Sequence, residues 1–573
     1  MILRMLKASV LSLDHAPRFV AISVASVAIW FGLVRAILRA WLCDDAFISF
    51  RYAQNFVHGL GLVFNAGERV EGYTNFLWTV WISLGLLLSF GPEKWSVFWG
   101  IVFYLGTILL LLRYHFVVRN DLKPVGFVLP LAALLASLHP DWNIFASSGL
   151  ETSLFTFLLF AGFFLLVREG NSLKNILLAS SLFSLAYLTR PEGALFGVIG
   201  AAFVLWTKRP RLRAFIAYCL VFGAISLTHL YWRLYYYGDI FPNTYYAKSA
   251  DLAWYAQGLY YVRLYFERYW ILVFSLGVIF LFFDRRRTEH QFSTLFQPSV
   301  LAFVFSTSYL LYIIRVGGDF MFARMLIPIT PFLLVLVENL LFLVPRFKFQ
   351  AALSVFSVIC MIHTTAFFAG PIGSKGVMNE WYFYHNVGWD TQSRIKASII
   401  SQYFEGLPLK IGFFGSQARF VYYVNPAVAI ECDAGLTDYF TARLPITKRG
   451  RVGHEKKAPL AYLIEAKKVN LILDERTPFR WNKQIPYVPI QIESIHGRLL
   501  HWDATLLGAL KKRGAEFNDF PLELDRYIEG LESVPEQKVL RDYVRFKNFY
   551  FDFNHDPARE NSIRARLSLP PTH

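Results

Sequence analysis

Charge is scarce in this chain. Only 17% of its 573 residues are Asp, Glu, Lys or Arg, where a soluble globular chain carries about 25%. That excludes an ordinary soluble enzyme. The scarcity is also uneven. Residues 371–573 hold 28 Lys+Arg and 23 Asp+Glu, which leaves 29 and 18 of the totals of 57 and 41 for residues 1–370. Cysteine is nearly absent: Cys43, Cys219, Cys360 and Cys432 form no CxxC and no metal-like spacing, so neither a disulfide scaffold nor a thiolate metal centre is encoded. Cys219 and Cys360 fall in apolar runs and read as small core residues. No P-loop or GxGxxG opens a nucleotide-binding unit. The first apolar run has no small-residue cleavage site and reads as an anchor rather than a signal peptide. No internal repeat is present, which argues against a transporter built from matched halves.

Apolar residues fill the space that charge leaves. The chain is 55% hydrophobic and 17% aromatic, with mean hydropathy +0.39. A bilayer crossing takes about 20 apolar residues. Candidate runs lie near 18–40, 73–91, 95–113, 124–139, 150–167, 173–189, 192–207, 213–236, 269–283, 296–315, 322–344 and 349–369. The net charge of +16 follows from the positive-inside bias of membrane loops rather than from nucleic-acid binding. PRFKF at 345–349, DRRR at 284–287, KRPRLR at 208–213 and the loop 168–174 read as cytoplasmic. The N-terminus, with Arg4, Lys7 and Arg18, joins them. The loops at 44–72, 139–150, 237–268 and 315–324 then lie on the far side. Parity allows two crossings between 73 and 139, where three apolar segments stand, so one segment is re-entrant or interfacial and about 11 spans remain. The expected fold is a polytopic α-helical membrane domain over 1–370, carrying an outer acidic loop at 41–75. A soluble extracytoplasmic α/β domain follows over 371–573. In that domain KIGFFG (410–415), FVYYV (420–424) and VNLILDE (469–475) read as strands, and 458–468 as helical.

The informative loop is DDAFISFRYAQNFVHGLGLVFNAGERVEGYTN, residues 44–75. Two adjacent carboxylates at a membrane boundary pay for desolvation unless they serve a cation, a proton or a metal. Phe47, Phe50 and Ala53 recur at helical spacing, which predicts a helix over 46–57 along the interface with its aromatic face down. Arg51 and Asn55 project four residues apart on one side of it. Gly59, Gly61 and Gly67 mark a turn-rich return, and Glu68, Arg69 and Glu71 add charge before the chain re-enters lipid at Phe76.

This loop does not stand alone. DDAFISFRYAQN, GLVFNAGERVEGYTNFLW, the isolated RPEG (190–193), FPNTYYAK (241–248), GGDFMFARMLIP (317–328), and GLTD followed by GHEKKAP (435–438, 453–459) occur in this order. Together they resemble the multi-spanning GT-C glycosyltransferases of the terminal β-(1→2)-arabinofuranosyltransferase type. The resemblance implies a GT-C fold in a bacterial cytoplasmic membrane. It implies transfer of a sugar, arabinofuranose in that family, from a polyprenyl-phosphate donor to a hydroxyl of a cell-envelope glycan or glycoprotein on the outer face. Outside the cell no nucleotide sugar is available, which agrees with the missing phosphate-binding motifs. A related pentosyl or hexosyl transferase acting on lipopolysaccharide, pilin or flagellin shares this signature. A flippase of polyprenyl-linked sugars is the competing class.

The resemblance places the reactive carboxylates at Asp44 and Asp45. Asp44 is expected as the base that takes the acceptor proton, with Asp45 as its partner. A divalent cation, Mg or Mn, would be held by this pair, although the pair also suits metal-free catalysis. A leaving phosphate calls for cations, supplied by Arg51, Arg190, Lys248 and Arg324. Asn243, Tyr246 and Asp319 are the sugar-binding candidates. The competing readings are an Arg190–Glu192 pair, an aromatic belt at 241–248 and an Asp319–Arg324 ion pair, each purely structural. Asn65, Glu68, Glu71 and His454 are expected at the acceptor or in loop contacts. Glu151, after SSGL, reads as a helix cap.

Overall fold

The computed structural model describes residues 15–122, 129–168, 172–208, 210–279, 292–344, 347–364, 374–386, 388–447, 449–473, 488–517, 520–552 and 555–572. The DRRR cluster at 284–287 lies outside them. Contacts divide the chain into two units: Met1–Phe64 with Arg69–Val387 and Pro445–Glu455, and Asn65–Glu68 with Gly388–Leu444 and Lys456–His573. The first unit therefore runs past residue 370, and it takes in a short segment from the C-terminal part of the chain.

The first unit is built of apolar helices. Among the described residues Pro92–Val118, Arg211–Tyr237 and Thr294–Val316 are long and apolar enough to cross a membrane by length and composition. Shorter apolar helices are Ser26–Leu38, Phe76–Leu87, Thr152–Val167, Leu173–Thr189, Gly193–Thr207, Ile327–Leu341 and Lys348–Ile362. Helix Arg211–Tyr237 leaves Leu212, Leu220 and Leu227 about two-thirds exposed (65%, 67% and 65%). Water would penalise such a face, and lipid accepts it. The chain is a multi-pass membrane protein. Cys219, expected in a core, lies exposed on this same helix, and Cys360 is only half-buried. An apolar run seen in sequence does not distinguish a lipid-facing side from a packed one. In the crowded stretch 73–139 the helices Phe76–Leu87 and Leu131–Leu138 have 12 and 8 residues, both short of a crossing.

Phenylalanines fill the interior of the bundle. The ring of Phe196 lies 5.0 Å from that of Phe305, and Phe332 lies 5.4 Å from Phe305 and 5.3 Å from Phe163. These edge-to-face pairs lock four helices together. The helix expected at 46–57 is present as Ala46–Val57, nine of whose residues are buried. Gly61 follows it at φ +90, and a Cβ there would lie 2.4 Å from the Tyr236 hydroxyl, so only glycine turns the chain back at this point.

The second unit carries a six-stranded sheet in the order β2-β1-β3-β5-β4-β6. The strands are β1 (Lys410–Phe413), β2 (Val428–Glu431), β3 (Leu471–Leu473), β4 (Val488–Ile492), β5 (Ile495–Leu499) and β6 (Glu516–Phe517). β1 pairs in parallel with β2 and β3, and the remaining pairs are antiparallel. The expected strands at 410–415 and 469–475 appear within β1 and β3. The expected strand FVYYV does not: Ala418–Val424 is a helix. Two adjacent parallel strands need a crossover between them, so the topology of β1 and β2 overrides the β propensity of Val, Phe and Tyr.

Candidate active site

Asp44 and Asp45 stand where the first helix ends and Ala46–Val57 begins. Asp45 is the N-cap of that helix, yet its side chain makes no capping bond. The carboxylate is left for other partners. Asp44 is buried, whereas the Asp45 side chain is 34% exposed. Arg324 Nη1 lies 3.7 Å from Asp45 Oδ2 and 3.7 Å from Asp319 Oδ2. Burial raises the Asp45 carboxyl above its ordinary value. Arg324 and Lys248 pull it back, Asp319 adds to the rise and Arg451 opposes it. Three cations from distant parts of the chain thus act on one accessible carboxylate.

Arg324 is itself held from behind. Its Nη2 donates to Glu151 Oε1 at 3.3 Å, and Arg190 Nη1 donates to the same oxygen at 2.6 Å. Arg190 Nε donates to Glu192 at 2.6 Å. Asn75 Nδ2 donates to the other Glu151 oxygen at 2.9 Å, and Asn75 Oδ1 accepts from Ser49 and Thr79, each at 3.1 Å. Glu151 was expected as a helix cap. It makes no such bond and is the anchor for two arginines instead. Two nearby cations outbid the helix end for its charge.

The turn at 317–318 positions Asp319 and Arg324. Both glycines have positive φ (+91 and +74), and a Cβ on Gly318 would lie 2.6 Å from Tyr261. Beyond the turn, the Met378 amide donates to the Phe320 carbonyl and the Phe322 amide to the Met378 carbonyl. This clamps the segment against 378–380. Arg451 packs over the Phe320 ring at 4.0 Å and pairs with Glu380 at 3.2 Å. Glu380 Oε2 also accepts from the Cys43 thiol at 3.6 Å, next to Asp44 in sequence. Burial pushes Glu380 up to about 8 against the pull of Arg451, with Asp45 and Asp44 adding to the rise. His454 stacks edge-on against Phe320 at 5.2 Å. Gly453 lies on the Lys248 stem, where a Cβ would meet Cε at 3.4 Å.

Asp45, Arg190, Lys248, Asp319, Arg324 and His454 therefore share one neighbourhood. Other expected residues make contacts of a different kind. Arg51 Nε donates to the Phe64 carbonyl at 2.8 Å, and Asn55 Nδ2 donates to the Val63 and Phe64 carbonyls at 2.9 and 3.0 Å. Both residues hold the returning loop. Glu71 pairs with Arg233 at 2.7 Å, and burial pushes it up to about 7 against that pull. The Asn243 amide donates to the Glu71 carbonyl, and the Tyr246 hydroxyl donates to Asp239 at 2.7 Å. In the second unit Asn65 pairs both ways with Ala429 of β2, at 3.0 and 2.8 Å, and Glu68 pairs with Lys467 at 2.7 Å. Sequence reasoning passed over Glu380, Arg451 and Asn75. Arg451 stands two residues before the GHEK motif, and Asn75 ends the YTN motif. Glu380 carries no signal in the sequence.

The fold matches that of ArnT from Cupriavidus metallidurans in the apo state, with a TM-score of 0.51 at 13% identity over 86% of this chain and 99% of that one. The protein thus shares the largely helical fold of that structure. No protein-family model matches the chain. In sequence it is similar to two curated proteins, each named terminal beta-(1->2)-arabinofuranosyltransferase. The one from Mycobacterium tuberculosis is 31% identical over 337 residues, covering 53% of this chain and 53% of the relative. The one from Corynebacterium glutamicum is 30% identical over 343 residues, covering 54% and 48%. The chain spans about half the length of the curated relatives it matches.

Proposed function

We propose that this protein is a membrane glycosyltransferase that moves a sugar, an arabinofuranosyl unit, from a polyprenyl-phosphate donor to an acceptor hydroxyl at the outer face of the bacterial cytoplasmic membrane. The observation that carries this reading is the accessible Asp45 carboxylate 3.7 Å from Arg324, with Lys248 and Arg451 acting on it as well. A base must reach the acceptor proton. The exposure of Asp45 beside a buried Asp44 favours Asp45 as that base, which reverses the roles expected from the sequence. Its raised affinity for a proton suits the task. Arg324, Lys248 and Arg451 supply positive charge where the phosphate of the leaving lipid gains negative charge. Arg190 and Glu151 keep Arg324 fixed, so the site does not have to reorganise as charge moves.

The charge layout supports an outer site. In sequence an apolar run separates KRPRLR from RPEG and another separates PRFKF from GGDFMFAR, and the positive-inside bias puts such clusters in the cytoplasm. The membrane domain then spans about 11 times, and the second unit is extracytoplasmic. The names of the two relatives support arabinofuranose as the sugar. A Mg or Mn ion at Asp44 and Asp45 would have to share Asp45 with Arg324. The positive charge is already provided by side chains, and the reading takes the reaction as metal-independent.

The test is reconstitution with a synthetic polyprenyl-phosphate arabinose and a glycan acceptor, comparing wild type with Asp45→Asn and Asp44→Asn. Glycoside formation by wild type, lost in Asp45→Asn with the fold retained, is the expected result. Unchanged transfer in both variants removes the aspartates from the chemistry. Movement of the donor lipid between leaflets with no glycoside formed would make the protein a flippase.

A further inference from the structure

A second charged centre stands at the end of helix Tyr255–Arg268. The Arg268 side chain is 10% exposed and pairs through Nε with Asp141 Oδ2 at 3.2 Å. Its Nη2 is buried with no hydrogen-bond partner among the described residues. Asp141 is heavily engaged, because the Tyr269 hydroxyl donates to that same oxygen. Two more arginines flank it: Arg39 Nη1 donates to the Pro140 carbonyl and Arg35 Nη1 to the Leu138 carbonyl, each at 2.8 Å. Two guanidiniums, Arg268 and Arg39, thus act on the Asp141 carboxylate. A buried cation with unspent donors is costly unless an anion answers it. Arg268 also lines a cavity of about 550 Å³ together with Leu264, Glu267, Trp270, Ile359, Cys360 and His363. The Glu267 carboxylate is turned to Arg263 at 2.6 Å. The walls are therefore part cationic and part apolar, and Trp270 is of the kind that sits at headgroup level.

We propose that this cavity binds the phosphate headgroup of a membrane lipid. Arg268 donates to the phosphate, His363 stands at the rim, and Leu264 and Ile359 receive the start of the hydrocarbon chain. An anionic phospholipid and a polyprenyl phosphate share this chemistry. The site is separate from the transferase reading, and its test does not use transfer as a readout.

The experiment is native mass spectrometry of the full chain in detergent. Phosphatidylglycerol, undecaprenyl phosphate, diacylglycerol and inorganic phosphate are offered separately. Wild type is expected to retain at least one of the two phosphate lipids roughly tenfold better than diacylglycerol, as a charge-assisted contact would give. Arg268→Gln should abolish that preference. Because this change also strips Asp141 of a partner, Cys360→Trp is the companion variant: it fills the cavity, leaves the ion pair intact and should lower retention to a similar degree. Retention of phosphatidylglycerol alone supports a structural lipid, and retention of undecaprenyl phosphate alone supports a waiting site for the carrier lipid. Equal retention of diacylglycerol, binding of inorganic phosphate with no lipid, or a preference that survives both variants but disappears in Arg324→Gln would each overturn the proposal.

Discussion

Arg324 approaches Asp45 to 3.7 Å, beyond hydrogen-bond length, while the same guanidinium hydrogen-bonds Glu151 at 3.3 Å. The arginine is fixed from the inside and only loosely engaged on its open side, which leaves the carboxylate able to take a proton. Asp45→Asn removes that ability without a change in size. Transfer should fall by about 10²- to 10⁴-fold, the usual worth of a general base, and Asp44→Asn should cost less. Burial raises the Asp45 carboxyl above 3.8. Activity should therefore drop as pH falls through a value above that figure, and a pH–rate profile reads it directly. A profile flat down to pH 3.8 would remove Asp45 as the base.

Glu151 is the common anchor of Arg190 and Arg324, at 2.6 and 3.3 Å. Its replacement leaves two well-buried guanidiniums short of a counter-charge. Glu151→Ala should destabilise the protein by about 3–5 kcal/mol, seen as a lowered Tm in detergent. Glu151→Gln keeps the acceptor oxygen and should fall between wild type and Glu151→Ala. A Tm for Glu151→Ala equal to that of wild type would show that the anchor is dispensable.

The sequence made the membrane helices, the helix at 46–57 and the neighbourhood of Asp45, Arg190, Asp319 and Arg324 legible, because each rests on local patterns: apolar length, helical spacing, a charge isolated between apolar runs. It hid what depends on distant partners. Glu151 looked like a cap since a glycine and two serines precede it, and nothing local announces two arginines 39 and 173 residues away. Arg451 and Glu380 lay in a stretch whose composition reads as soluble, yet the segment Pro445–Glu455 belongs to the membrane unit. FVYYV carried β propensity into a crossover helix because strand order is not written in a single segment. Arg51 pointed at a phosphate in sequence but is spent on the Phe64 carbonyl.

Glu380 should make stability depend on pH. The folded chain holds its proton to about 8, while the unfolded chain releases it near 4.5. Between those values the native state binds more protons, so stability falls as pH rises, by at most about 1.4 kcal/mol per pH unit. The contribution is fully present below 4.5 and is lost as pH passes through 8. Glu380→Gln cannot ionise, so its Tm should decline less than that of wild type between about pH 5 and about pH 9. Glu71 and Glu431, pushed up to about 7 and about 8 by burial, add the same trend to both proteins and cancel in the comparison. Parallel curves would show that Glu380 does not titrate in this range.

Chelation separates side-chain charge from a bound ion. Arg324, Lys248 and Arg451 already act on Asp45, and a divalent ion prefers six or more oxygen ligands. Transfer in the presence of excess EDTA should stay within about twofold of the untreated rate, while Arg324→Gln should lower it by about 10²-fold or more, as removal of a charge stabiliser does. Loss of transfer on chelation, restored by Mg or Mn, would put a metal at Asp44 and Asp45 instead.

The turn that delivers Asp319 and Arg324 can be tested without touching a charge. Gly318 has φ +74, and a Cβ there would lie 2.6 Å from both Cβ and Cγ of the buried Tyr261. Tyr261 cannot retreat easily, because its hydroxyl donates to the Met321 carbonyl at 2.9 Å and accepts from the Met325 amide at 3.3 Å. Gly318→Ala therefore meets two penalties: about 1–2 kcal/mol for the left-handed backbone and about 1–3 kcal/mol for overpacking. Gly317→Ala shares the first penalty at φ +91, but its nearest neighbour, Trp254 Cβ, is 3.2 Å away, so the second is smaller. The expected order of Tm is wild type, then Gly317→Ala, then Gly318→Ala, with transfer falling more steeply than Tm because the turn aims Arg324 at Asp45. A Gly318→Ala protein as stable and as active as wild type would show that the turn does not set that aim.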